Sequence, residues 1–324
     1  MSASTTTTAP DNSAAGTPPA AYSFTRLLYW GVRRELWENR SIYIAPLVAA
    51  GLLVLAVVIT LVEVVGNAQP LVNANIRVDG DVGAAAALWV PYMIIAAPIL
   101  GISLLVAVAY CLGALHGERR DRSILFWKSL PVSDLTTVLS KACIPVIIVP
   151  LVSFLVAMIT QWVIFAIALS VFPLFAAKAH IVWASVPVSY RTVGMIWAGV
   201  PVGYLTLAMF YGVLATALWQ APIYAWLLLV GGWAKRMSFV WATVPVIGLM
   251  IAERIVFGTV RLETMLDRRL YGNVSLAFSD VVNDKMPAMT PVHFLSDPGL
   301  WIGLAVSALF LGAAVLMRRY RQPI

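Results

Sequence analysis

Charge is what this chain has least of. Lys, Arg, Asp and Glu supply 11% of its 324 residues, against about a quarter in an average soluble domain. Hydrophobic residues make up 61% and mean hydropathy is +0.87, so a water-soluble domain is excluded. Cysteine is nearly missing. Cys111 and Cys143 fall near the ends of apolar runs and read as small core residues, not as a disulfide or metal pair. Histidine is equally sparse. His116 lies close to Glu118, but there is no His-Glu-x-x-His, and His180 and His293 fall in outer segments. Gly-x-Ser-x-Gly and Gly-x-x-x-x-Gly-Lys-Ser/Thr are both absent, which removes the usual hydrolase elbow and any phosphate-binding loop for ATP. An enzyme, a bound metal or a bound cofactor is therefore not expected of this chain. Residues 1–20 hold one acid, Asp11, and no basic residue. They lack the basic and apolar regions of a signal peptide and read as a disordered cytoplasmic tail.

What the chain has is long apolar runs. They reach or exceed the roughly 20 residues a helix needs to cross a bilayer. They are also continuous instead of alternating with period two, which disfavours a barrel. The expected fold is an all-α integral membrane protein, with residues 21–324 forming a single transmembrane domain. Six spans are predicted, over 42–65, 88–115, 142–172, 193–219, 238–258 and 300–317. The third is so long that it must tilt, kink or project, and Pro145 and Pro150 place a kink near its start. Lys235 and Arg236 split the region 222–258, leaving a first run too short to span. That run is placed at the cytoplasmic interface or in a re-entrant turn; a single bent helix through the whole region is the alternative.

Basic residues orient the bundle. With both termini inside, fourteen of the 22 Lys and Arg lie on the inner side, clustered at 26–40, 119–128, 141, 235–236 and 318–321. The inverted topology reverses this ratio, so both termini are expected in the cytoplasm. Residues 66–87 then form a modest outer loop and 173–192 an outer segment anchored by Trp183 and Tyr190. Residues 259–299 form a longer outer segment with enough apolar residues to fold back on the bundle.

Two segments stand out on the inner side. Residues 22–40 predict an amphipathic helix with Phe24, Leu28, Val32 and Leu36 on one face and Arg26 and Arg33 opposite. Trp30 and Trp37 flank the basic side, and Arg34 adds to it; such a helix lies in the membrane interface. Glu35 and Glu38 interrupt its pattern. It serves either as a plain anchor or as a lever between a cytoplasmic partner and span one. The second segment, 117–130, is a charged island between two apolar runs. Glu118, Arg119, Arg120, Asp121, Arg122 and Lys128 surround an apolar knob of Ile124, Leu125, Phe126 and Trp127. A helix there pairs Glu118 with Arg122 at i,i+4. Pro131 stops it, and Ser133 can cap the next helix with Asp134 at its positive end. An aromatic knob ringed by charge is the composition of a protein contact.

The order Glu-Arg-Arg-Asp-Arg-Ser-Ile-Leu-Phe-Trp-Lys-Ser-Leu-Pro-Val-Ser across 118–133 resembles the segment after span two of ABC-2 type transporter permeases. There a pattern of the type Glu-Arg-x-x-Gly-Thr-Leu, then Leu-x-x-x-Pro-Val-Ser, forms the coupling helix that docks on the ATPase. Glu118, Arg119, Leu130, Pro131, Val132 and Ser133 match it, while Arg122-Ser123-Ile124 stands in place of Gly-Thr-Leu. The resemblance implies a permease subunit in a bacterial inner membrane, working as a homodimer or heterodimer with two separate ATPase subunits. ATP and Mg would reside on those subunits, and no nucleic-acid partner is expected. The residues it implies for docking are Glu118 to Arg122, Ile124, Phe126, Trp127 and Lys128.

Polar residues inside the spans are functional candidates. Gln161 with Trp162 in span three and Thr206 in span four are the candidates for a translocation path, with an interhelical hydrogen bond the alternative role for Gln161. Glu63 and Glu253 lie near outer span ends, where solvation is cheap. Without a buried chain of carboxylates, ion coupling is disfavoured. The apolar bundle suits an amphipathic or hydrophobic cargo such as a peptide, antibiotic or lipid-linked molecule. A secondary transporter or channel is the competing class, and an intramembrane hydrolase or acyltransferase the third.

Overall fold

A computed structural model describes residues 23–66, 80–120, 133–178, 202–234, 236–279 and 288–320. In an apolar run the backbone has no water to bond, so it satisfies its N–H and C=O groups internally as helix. The described chain is accordingly almost all helical. Helix α1 is Phe24–Glu38, α2 Ser41–Gly66, α3 Gly80–Arg120 and α4 Asp134–Cys143. A π-helical turn, Ile144–Ile148, joins α4 to α5, Val149–Lys178. Then follow α6 (Val202–Trp219), α7 (Ala221–Trp233), α8 (Ser238–Phe257) and α9 (Arg261–Ala277). A two-residue antiparallel hairpin pairs β1 (Phe278–Ser279) with β2 (Ala288–Met289), and α10 (Pro291–Ser296) leads into α11 (Pro298–Tyr320).

Among the described residues, six segments are long and apolar enough to cross a membrane: Ser41–Glu63, Tyr92–Gly117, Asp134–Ile167, Val202–Trp233, Ser238–Phe257 and Pro298–Tyr320. The chain is an all-α, multi-pass membrane protein. Helices α2, α3 and α5 pack on one another around Ala49, Ala50, Ala96, Ile99, Val156 and Ala157. A second core joins α3, α4 and α7 to α11 through Ala107, Cys111, Leu115, Val138, Leu228, Val230 and Ala314. Helix α8 carries Phe239, Ile247, Ile255 and Phe257 on exposed faces, a surface suited to lipid.

The structure differs from the expected layout in four places. The run after Pro222 is a helix packed inside the bundle, not a separate short segment. As α7 it continues span four past a one-residue break at Gln220 and is the most enclosed part of the bundle, between α3 and α11. Pro222 does not break it, because proline in a first helical turn sacrifices an N–H that has no partner there anyway. Span three begins at Asp134, eight residues before the expected start, with the π turn where the kink was placed. Helix α3 begins at Gly80, inside the expected outer loop, and its last turn takes in Gly117–Arg120, so the island does not start as a separate helix.

The described residues between α8 and α11 pack against the bundle. Glu253 is not idle at the end of α8. It accepts hydrogen bonds from the Thr259 hydroxyl at 2.7 Å and from the backbone N–H groups of Arg261 and Leu262 at 2.9 and 2.8 Å, capping α9. The Arg269 guanidinium lies 4.4 Å from the Trp219 ring centre and donates to the Gly299 carbonyl at 2.9 Å. Burial pushes its pKa below the ordinary arginine value, with Asp297 opposing. Gly303 leaves room for it, since a Cβ there would strike the guanidinium. Tyr211, Trp219, Phe278 and Phe294 close this third core.

Candidate functional site

The strongest polar constellation lies where α1 meets α4. Glu35 is buried at 2% exposure, although it interrupts the amphipathic pattern of its helix. Its partner is 106 residues away: Lys141 Nζ donates to Glu35 Oε1 at 2.7 Å. Lys141 is itself 2% exposed. The Tyr110 hydroxyl of α3 donates to Glu35 Oε2 at 2.8 Å, so both carboxylate oxygens are engaged and three helices meet at one group. A buried ion pair needs such additional hydrogen bonds to repay the desolvation of two charges.

The backbone makes this approach possible. Gly31, one turn before Glu35, faces Ser140; a Cβ built on it would lie 2.9 Å from Ser140 Cβ. Gly31→Val should therefore push α1 off α4. An overpacked contact of this kind costs about 1–3 kcal/mol, read as a lower melting temperature of the detergent-purified chain. Val32 and Leu36 complete the seam against the core shared by α3, α4, α7 and α11.

Helix α4 is fixed at its other end as well. Ser133 caps it, its Oγ accepting from Thr136 N–H at 3.1 Å. Asp134, in the first turn, accepts from Arg318 Nε of α11 at 2.9 Å, and the Arg318 side chain is 4% exposed. Close by in the fold, His116 Nδ1 lies 3.1 Å from the Ala234 carbonyl and ties the end of α3 to the end of α7. One end of the bundle thus carries α1, both ends of α4 and the close of α11 as a linked unit. Immediately beyond Cys143 the helix passes into the π turn, where Val149 N–H donates to Ile144 O, five residues back. Such turns mark irregular points in a helix and occur often at functional sites. Pro145 sits in this turn and cannot donate to the turn before it.

Helix α1 carries its aromatic and basic side chains on the faces that do not meet α4. Arg33 lies 5.1 Å from the Trp30 ring centre and 5.5 Å from that of Trp37, both exposed. Arg26 is exposed too, while Arg34 bonds Glu38 at 2.7 Å and is 3.7 Å from Glu35. Of the island, Glu118, Arg119 and Arg120 fall in the last turn of α3. Asp121, Arg122, Ile124, Phe126, Trp127 and Lys128 lie outside the described residues.

The candidate path residues separate. Gln161 Nε2 donates to the Tyr92 carbonyl at 2.9 Å, and the Tyr92 hydroxyl pairs with Thr206 Oγ1 at 3.0 Å, so Gln161 and Thr206 converge on one residue of α3. Trp162 does not join them. It is 51% exposed, turned away from the bundle, and packs edge-on to Phe165. Sequence reasoning missed Glu35, Tyr110 and Lys141. The available signal was an acid on the apolar side of α1 and a lone lysine close to the start of an apolar span. Among the described residues no group of His, Cys, Asp and Glu is arranged to hold a metal.

No protein-family model, curated protein or solved structure matches the chain. The class the fold defines is that of a multi-pass, transporter-like helical membrane protein, with six candidate spans among the described residues.

Proposed function

We propose that this chain is the transmembrane subunit of an ATP-driven transporter of the ABC-2 type, moving an amphipathic or hydrophobic cargo across a bacterial inner membrane. The observation that carries the reading is the linked set of helices on either side of the island. The island runs out of α3 and into the Ser133 cap of α4, and α4 is ion-paired to α1 through Lys141 and Glu35. In this reading both termini are cytoplasmic and a separate ATPase binds residues 117–130, carrying ATP and Mg. Two permease subunits, identical or related, pair in the complex. Closure of the ATPases tilts α4 about the π turn, α1 follows through its ion pair, and the spans exchange inward- and outward-open arrangements. The chain performs no hydrolysis itself.

Coexpression with the ATPase encoded beside the gene tests this directly. The two should copurify in detergent, and replacing Phe126 and Trp127 together by Ala should reduce recovery of the ATPase at least about tenfold, as expected when two aromatic hot spots are removed. Unchanged recovery and unchanged coupling of ATP hydrolysis to transport would sink the docking assignment. Transport driven by an ion gradient without any ATPase would identify a secondary transporter instead.

A further inference from the structure

The apolar face of α1 is occupied by protein. Val32 and Leu36 pack on the core of α3, α4, α7 and α11, Gly31 meets Ser140, and Glu35 is paired with Lys141. What α1 leaves outward runs along one stripe at helical spacing: Arg26, Trp30, Arg33, Trp37 and, just past the helix end, Arg40, all exposed. Arg33 is set between the two indoles, 5.1 Å from the Trp30 ring centre and 5.5 Å from that of Trp37. The acids of the helix are engaged elsewhere, Glu35 with Lys141 and Glu38 with Arg34. The stripe is therefore aromatic and positive along its length.

Its depth follows from what α1 touches. Glu35 is bonded to Tyr110 and Lys141, each about two helical turns, roughly 10 Å, inside the end of its apolar segment, at Gly117 and at Asp134. The α3 segment has 26 residues, so it is about 39 Å long against about 30 Å of hydrocarbon, and its ends reach into the headgroup layers. Helix α1 thus lies alongside the headgroup layer, and the chain enters its first span at Ser41, directly after Arg40. The same end of the bundle carries further pairs of this composition. Trp233 and Trp241 meet edge-on at 5.0 Å across the turn that exposes Arg236, and Arg319 lies 5.7 Å from the Tyr320 ring centre. Tryptophan, tyrosine and basic residues gather at membrane–water boundaries.

We propose that the outward stripe of α1 is a docking surface for anionic phospholipid, with Arg33 holding the headgroup phosphate. A guanidinium fork matches two phosphate oxygens, and the indoles of Trp30 and Trp37 lie against the glycerol and upper acyl region. Arg26 and Arg40 extend the positive field along the same face. The two rings already hold one cation, so the choline group of a zwitterionic lipid meets like charge there. An acidic protein matches the charge but not the depth, because it has to displace headgroups from the rings. The surface requires only that the bundle spans a bilayer, and it stands apart from the cargo and the ATPase.

Native mass spectrometry of the detergent-purified full chain tests it, with phosphatidylglycerol or phosphatidylcholine of the same acyl chains titrated in. Phosphatidylglycerol should bind at least about tenfold tighter, since each basic contact at an anionic surface is worth about fivefold. Arg33→Gln, and separately Arg40→Gln, should each weaken phosphatidylglycerol about fivefold and leave phosphatidylcholine unchanged. Arg254→Gln removes the same charge from an exposed position near the other end of α8 and should change neither lipid. All three side chains are exposed, and monodisperse elution of each variant checks that it has folded. Equal affinities in the wild type, a preference untouched by Arg33→Gln, or an equal loss in Arg254→Gln would overturn the surface. An unchanged lipid preference together with lost recovery of the coexpressed ATPase in Arg33→Gln would assign the stripe to a protein instead. The lipid titration contains no ATPase, so its failure leaves the permease reading standing.

Discussion

Replacing Lys141 by Met should lower the stability of the detergent-solubilised chain by about 3–5 kcal/mol, the cost of leaving one partner of a buried ion pair uncompensated. Glu35 would keep the Tyr110 hydroxyl, but its nearest remaining cation, Arg34, is 3.7 Å away and already bonded to Glu38. An ordinary hydrogen bond between membrane helices is worth about 0.6 kcal/mol on average, so the orphaned charge dominates the loss. The sharper test removes the whole constellation. Glu35→Leu with Lys141→Met takes away the hydrogen bond that the Tyr110 hydroxyl gives Glu35, a loss of about 0.5–1.5 kcal/mol. Adding Tyr110→Phe should bring the melting temperature back near that of the wild type, since apolar replacements of a buried pair are often neutral or better. Thermal unfolding of the four proteins decides the matter. A Lys141→Met chain as stable as the wild type would show that the pair contributes nothing to holding α1 on α4.

Five of the six spans were legible because burial in lipid is written directly into composition: a helix there must be apolar all round. Helix α7 was not legible, because a run that looks too short to span had been separated from α6. The break between them is the single residue Gln220, and the Tyr224 hydroxyl bonds its Oε1 at 2.9 Å, so the interruption is satisfied internally and the helix pair continues. The site was read less well than the fold. Glu35 disturbs an amphipathic pattern, and pattern reasoning counts a disturbance as noise. Its meaning depends on Lys141, and nothing local in a sequence links residues 106 positions apart. Ser133 shows the opposite case. A cap acts within three residues, so its role in starting α4 could be read before the fold was known. Trp162 fell between these cases. Adjacent helical residues point in directions about 100° apart, and burial of Gln161 therefore turns its neighbour outward.

Deleting Pro145 should leave the chain folded, and more stable, but unable to couple ATP hydrolysis to transport. A π turn amounts to one residue more than the regular helix requires, accommodated locally so that the flanking helices keep their places. Pro145 is an apt residue to remove, because a proline in a helix interior costs about 3 kcal/mol through its missing N–H and its ring. Without it, α4 and α5 become one regular helix from Asp134 onward, with Lys141 still facing Glu35 and Asp134 still facing Arg318. The melting temperature should rise, and the destabilisation by Lys141→Met should persist in the deletion background, which shows that α4 has not rotated. Rotation by one residue, about 100°, would carry Lys141 away from Glu35 and abolish that effect. What the deletion removes is the compliant point between α4, which follows the island, and the rest of span three. If α4 tilts as a lever about Ile144–Ile148, transport-coupled ATP hydrolysis should fall at least about tenfold, a change of roughly 1.4 kcal/mol in barrier. Full coupling in a stable deletion variant would place the moving joint elsewhere in the bundle, with the break at Gln220 the next position to test.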